Sequence, residues 1–213
     1  LSMIIDAHVH LTSEAWRQGP QAIEPMITSA RKTGIDKICL FPSGYMTKQD
    51  MIGANDLVLR VMDLYPDEVI GFCYVNPMNT QEALKELERC LVRNSMYGLK
   101  LGIQCKTTNP LMDPVMEFMD QVGVPILQHA WDKVTGNYEF ESTPYEVAQL
   151  AKGYPNVNII MAHLYGARFK GMLDVAPYKN IYVDVSGGNP EAGILEYGVE
   201  VLGAERIVFG SDA

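Results

Sequence analysis

The sequence predicts an α/β protein of the (β/α)8 type, a TIM barrel. Eight short apolar runs rich in Ile, Val, Leu and Phe recur along the 213 residues. Most are nearly continuous in apolar character, which fits parallel strands covered on both faces. Stretches with helical spacing lie between them, so the pairing is parallel with right-handed crossovers.

The runs cover residues 3–10, 36–43, 69–77, 96–102, 125–130, 158–164, 181–187 and 207–213. Gly34 and Gly123 follow helical stretches just ahead of the second and fifth runs, where a left-handed cap wants glycine. Gly153 with Pro155 reads the same way ahead of the sixth. Asn79 with Glu82 reads as a helix start, and Asn189-Pro190 as another. Thr143-Pro144-Tyr145-Glu146 reads as a capping box with Pro at the first helical position. The rival fold, an open doubly wound sheet, usually carries a Gly-rich phosphate turn after its first strand. Here that place holds Asp6-Ala7-His8-Val9-His10. No helical pattern follows the eighth run, so the eighth helix is expected to be missing. No Pro/Ser-rich linker divides the chain. Residues 3–213 are therefore read as one barrel domain, with Met3 as the natural start and room for the natural protein to continue past Ala213.

Hydrophobic residues make up 47% and charged residues 20%, which suits a packed globular core. The net charge of -9, without a basic stripe, argues against nucleic acid as a partner. No run reaches the roughly 20 apolar residues that span a bilayer, and no secretory signal is visible. The expected location is the cytoplasm and the expected partner a small-molecule substrate. Cys39, Cys73, Cys90 and Cys105 form no CxxC pair and read as reduced, buried thiols.

The chemistry concentrates in the histidines. His8 and His10 are two apart on a strand, hence on one face, where two imidazoles can converge on one cation. The other two histidines of the chain, His129 and His163, stand at the ends of the fifth and sixth runs. All four occupy the same end of parallel strands, the rim where barrels build active sites. Asp212 ends the eighth run. A closed barrel sets it beside the first strand, where it can serve as metal ligand and proton acceptor. A strand-end Asp also commonly caps a helix. Asp6 shares the His8 face and either orients a ligand or bonds to backbone. Asp184 and Ser186 share a face of the seventh run. Trp131, Tyr165 and Arg168 follow the fifth and sixth runs toward the rim. Arg168 is read as a clamp for a substrate carboxylate or an exposed loop arginine.

With DAHVH, GLKLG, QHA, MAHLYG and FGSDA in place, the chain resembles the amidohydrolase superfamily. The resembling branch includes aminocarboxymuconate semialdehyde decarboxylase. The resemblance implies one divalent metal, expected to be zinc, held by His8, His10, His129 and Asp212. It implies that His163 contacts substrate or the reactive water. In other members a fourth-strand lysine is carbamylated and bridges two metals. Lys100 matches that place, and alternatively pairs with an acid or touches substrate. The resemblance also suggests a homodimer. The expected activity is hydrolysis of an amide, lactone or ester-like bond through metal-activated water, with Asp212 and His163 as catalytic residues. The alternative is metal-dependent decarboxylation of a small unsaturated or aromatic acid. A barrel that binds without turnover is the third reading.

Overall fold

Eight parallel strands follow one another in chain order around the sheet: β1 (Ile5–Leu11), β2 (Lys37–Pro42), β3 (Val69–Tyr74), β4 (Gly98–Leu101), β5 (Ile126–Gln128), β6 (Ile159–Met161), β7 (Ile181–Asp184) and β8 (Ile207–Val208). The structure, a computed structural model, describes residues 3–11, 13–42, 48–188 and 190–213. Each expected run overlaps one strand; β1 extends one residue past its run, to Leu11, and the other strands are shorter than their runs.

Helices α1 (Ser13–Gln18) and α2 (Glu24–Thr33) follow β1. Then α3 (Lys48–Leu64), α4 (Thr80–Leu87), α5 (Asp113–Val122), α6 (Pro144–Gly153), α7 (Leu164–Val175) and α8 (Ile194–Leu202) follow β2 to β7 in turn. Among the described residues no helix follows β8, as expected. None of the described helices is long and apolar enough to cross a membrane.

The seam closes without a regular ladder. Ala7 N–H donates to Phe209 O (2.9 Å), Asp212 N–H to His8 O (2.9 Å) and His10 N–H to Ala213 O (2.6 Å). Asp6 reinforces it: one carboxylate oxygen accepts from His8 N–H (3.1 Å) and from Ser211 N–H (3.0 Å). The pairing of β1 with β2 slips between Asp6 and Val9, with one extra residue on β1. Such a bulge breaks the two-residue alternation. Asp6 accordingly bonds to backbone and does not join His8 and His10.

Local signals act largely as expected. Thr143 and Glu146 form a reciprocal capping box, and Gly34 and Gly123 end α2 and α5 in left-handed geometry. Asn79 makes no cap; Asn76 Oδ1 instead accepts from Met78 N–H at 3.0 Å, because a 3₁₀ turn precedes α4. Gly153 is the last residue of α6 rather than its left-handed cap; the cap position falls on Tyr154, whose backbone is not left-handed. Asn189 lies outside the described residues.

Most of the core lies between sheet and outer helices, where Ile27, Val58, Leu87, Met116 and Met172 join Leu40, Leu99 and Ile126 in one apolar cluster. A smaller cluster, Cys39, Phe41, Phe72, Leu127 and Ala162, is separate from it. Phe41 from that cluster supports the histidines, its ring centroid 5.3 Å from His8 and 4.8 Å from His10. All four cysteines are free and buried.

Candidate active site

The rim gathers the residues that the strand ends carry. His8 is fully buried; His10 and Asp212 are about a third exposed at 29% and 33%. His8 Nε2 and His10 Nε2 are 3.2 Å apart, and each lies 3.0 Å from Asp212 Oδ1. Ligands on a tetrahedral zinc stand about 3.3 Å from one another, given bonds near 2.0 Å. The three atoms therefore have the spacing of donors around a common small cation.

The tautomer of His8 fits that role. Its Nδ1 lies 2.7 Å from Asp184 Oδ2, both groups being fully buried. Burial pushes the Asp184 carboxyl up, but hydrogen bonds from His8 and Ser186 outweigh it and hold it well below the usual carboxylate range. The ionised carboxylate accepts a hydrogen bond from Nδ1–H, which leaves the Nε2 lone pair facing the cavity. A carboxylate behind a ligating histidine is a recurring support for metal sites. Asp212 is likewise held below the usual range: burial opposes ionisation, and the hydrogen bond with His10 and the surrounding imidazoles more than offset it. His10 Nδ1 is buried and meets no hydrogen-bond partner among the described residues.

His163 and His129 form the second half of the site. His163 Nδ1 is 2.8 Å from Ser186 Oγ, and Ser186 Oγ is 2.5 Å from Asp184 Oδ1. If the hydroxyl donates to the carboxylate, His163 Nδ1 must donate to the hydroxyl. His163 Nε2 then presents its lone pair to His129 Nδ1, at 3.0 Å. His129 Nε2 in turn lies 2.9 Å from Glu141 Oε1. Both imidazoles thus turn lone pairs toward each other, an arrangement that an interposed cation or proton relieves. Burial, reinforced by nearby positive charge, lowers His129 to about 4 and His163 to about 2, so both are neutral at pH 7. Neutral imidazole is the ligating form. His129 does not fall within the tight His8–His10–Asp212 group; it reaches the site through the wall it shares with His163.

Lys100 is the cation of the cavity. It is buried, and its Nζ is 3.3 Å from His8 Nε2 and 4.8 Å from the Phe41 ring centroid. Burial pushes it down to about 8, against the pull of Asp184 and Asp212. The cavity has a volume of about 260 Å³ and is bordered by His10, Lys100, His129, His163 and Asp212, with Tyr74 and Trp131 as aromatic walls. Trp131 packs against His163 with ring centroids 5.0 Å apart. Arg168 does not border it. Arg168 sits in an adjoining hollow beyond Trp131, 3.8 Å from Glu191.

Backbone shape aims several of these groups. His163 and Asp212 have φ of 74° and 62°, a left-handed conformation uncommon for non-glycine residues. Such strain concentrates at functional sites, where surrounding contacts enforce it. Gly210 lets the chain after β8 pass close: a Cβ there would lie 3.0 Å from the Cβ atoms of both Asp184 and His8. Glu141 and Lys133 were not picked out from the sequence. They stand in a loop without periodicity, where a buried acid and an exposed one look alike.

Fold and site together define a TIM barrel with a candidate metal site at its rim. The chain belongs to the amidohydrolase family, whose profile matches residues 5–213. The family is metal-dependent, and relatives of the chain are enzymes that act on small molecules. The chain is 27% identical over 197 residues to a 2-keto-4-carboxy-3-hexenedioate hydratase of Sphingobium sp., covering 74% of this chain and 56% of that protein. It is 25% identical over 83 residues to a 2-amino-3-carboxymuconate-6-semialdehyde decarboxylase of Dictyostelium discoideum, covering 38% of this chain and 23% of that one. The chain thus spans about half or less of these curated relatives' length. A solved dihydroxybenzoic acid decarboxylase of Polaromonas sp., with bound manganese and the inhibitor 2-nitroresorcinol, has the same fold (TM-score 0.75, 17% identity, 100% of this chain, 86% of that one).

Proposed function

We propose that this barrel is a metal-dependent lyase that decarboxylates a small unsaturated or aromatic carboxylic acid. The observation that carries the reading is Lys100: a buried ammonium in the wall of the cavity, beside the cluster of His8, His10 and Asp212. A carboxylate entering there would meet the Lys100 ammonium and the proposed ion, with the Tyr74 and Trp131 rings as apolar walls of the same cavity. The decarboxylases among the relatives support the same choice.

His8, His10 and Asp212 would hold one divalent ion, zinc or manganese, with His129 as the fourth donor. The ion supplies Lewis-acid polarisation of a substrate oxygen. Lys100 draws and orients the carboxylate. His163 hydrogen-bonds a neighbouring substrate oxygen. Asp212 hands a proton taken from solvent to the carbon; the C–C electron pair stays on that carbon and carbon dioxide leaves.

A second reading keeps water as the reactant, in hydration or in hydrolysis of an amide, lactone or ester. The hydratase relative, matching 74% of this chain, favours it, as does a carboxylate base at the cluster. Carbon dioxide release from a panel of dihydroxybenzoates and unsaturated diacids separates the readings. Lys100→Met should lower kcat/KM by about 10²-fold, as loss of a preorganised electrostatic partner does. Decarboxylation at the native rate by that variant would exclude the assignment. Elemental analysis should find one metal per chain; two would promote Lys100 to a bridging carbamate.

A further inference from the structure

We infer that Glu141 is a positioning residue for His129: it holds the Nε2 proton in a hydrogen bond and so keeps Nδ1 as the lone-pair nitrogen turned toward the cavity. The inference rests on the reading of His129 as a metal ligand.

Glu141 lies in the loop between β5 and α6, yet it is only 1% exposed. Burying a carboxylate is costly unless every oxygen is satisfied. Here Oε1 accepts from His129 Nε2 (2.9 Å) and Lys133 Nζ (2.8 Å), and Oε2 from Lys133 Nζ (2.7 Å) and Tyr138 N–H (3.0 Å). The other acids of that loop, Asp132 and Glu139, are not buried.

The loop is folded around this carboxylate. Lys133 N–H donates to Asn137 Oδ1 (2.9 Å), Asn137 Nδ2 to Trp131 O (2.6 Å), and Trp131 N–H to Ser142 O (3.0 Å). The Lys133 ammonium lies 3.7 Å from the Tyr138 ring centroid, which fixes the cation that faces Glu141. These contacts bring an ionised acceptor to the outer nitrogen of one imidazole, as Asp184 does for His8. The physical result is a chosen tautomer. With the proton on Nε2, Nδ1 can donate its pair to a cation; with the proton on Nδ1, it cannot.

The test is long-range ¹⁵N–¹H NMR of ¹⁵N-histidine-labelled protein, with and without zinc, paired with calorimetric zinc titration. Wild type should show His129 protonated at Nε2 and bare at Nδ1. Glu141→Ala should shift the tautomer population and weaken zinc binding about 10–100-fold. Glu141→Gln, whose amide oxygen can accept the same proton, should restore the tautomer and most of the affinity. A wild-type His129 protonated at Nδ1 overturns the inference. So does Glu141→Ala with unchanged nitrogen shifts and zinc affinity. If Glu141→Ala does not fold, the wild-type tautomer decides. If wild type binds no zinc, the metal reading falls, while the tautomer measured without metal still judges Glu141.

Discussion

At the scale of single residues, the site depends on where protons sit. Asp184 serves two histidines at once: Oδ2 binds His8 Nδ1, and Oδ1 accepts from His163 N–H at 3.0 Å and from Ser186. Asp184→Asn removes the ionised acceptor and offers an amide that can donate instead. The expected outcome is a 10–100-fold loss of zinc affinity by calorimetry with the fold retained. Unchanged affinity would mean that His8 needs no carboxylate behind it. Lys100 belongs to the same scale: its charge is held among buried groups, so its removal should tell on turnover more than on folding.

Two predictions belong to secondary-structure elements. The chain after β8 must pass close to β1 and β7, and Gly210 makes the room. Gly210→Ala should displace His8 or Asp184 by a few tenths of an ångström and cost about 1–3 kcal/mol, the usual price of overpacking. Urea unfolding and zinc titration check it; wild-type values for both would show that the site yields freely. The outer clip between α3 and α4 carries the second. Asn55 Nδ2 donates to Glu86 Oε1 (2.8 Å) and to Tyr74 O (3.0 Å), and Arg89 Nη2 donates to Glu86 Oε1 at 2.6 Å. Burial raises the Glu86 pKa, but the hydrogen bonds from Arg89 and Asn55 outweigh it, so the folded value is lowered. A lowered folded pKa contributes stability above the unfolded value, near 4.3, which is lost as pH falls through the folded one. Glu86→Gln should therefore be less stable than wild type by about 1 kcal/mol at pH 7, with the gap closing below about pH 4. A gap that is constant with pH would assign the effect to packing.

For the whole molecule, the proposed ion would bridge the barrel seam. His8 and His10 lie on β1, and Asp212 lies beyond β8. Between these ends the described backbone supplies only scattered hydrogen bonds. An ion bound to the folded state alone adds about 2.7 kcal/mol at a hundredfold excess over Kd. For a chain of this size that corresponds to a rise of about 5–10 °C in Tm. Calorimetric scans with zinc and with chelator should differ by that amount; coincident transitions would argue against a seam-bridging ion.

Much of this was legible in the residues alone. The alternation of apolar runs and helical stretches determined eight parallel strands, because burial on both faces and the period of each element are local properties of the chain. The same local order placed four histidines and Asp212 at strand ends. Tertiary structure alone decided the rest. A one-residue bulge in β1 turned Asp6 from the histidine face to the seam. Lys100 entered the cavity while Arg168 stayed beyond Trp131. Glu141 became the partner of His129 across twelve residues, and Asp184 that of His8 across 176. Such pairings set tautomers, and they follow from the path of the backbone in space, which no spacing along the chain contains.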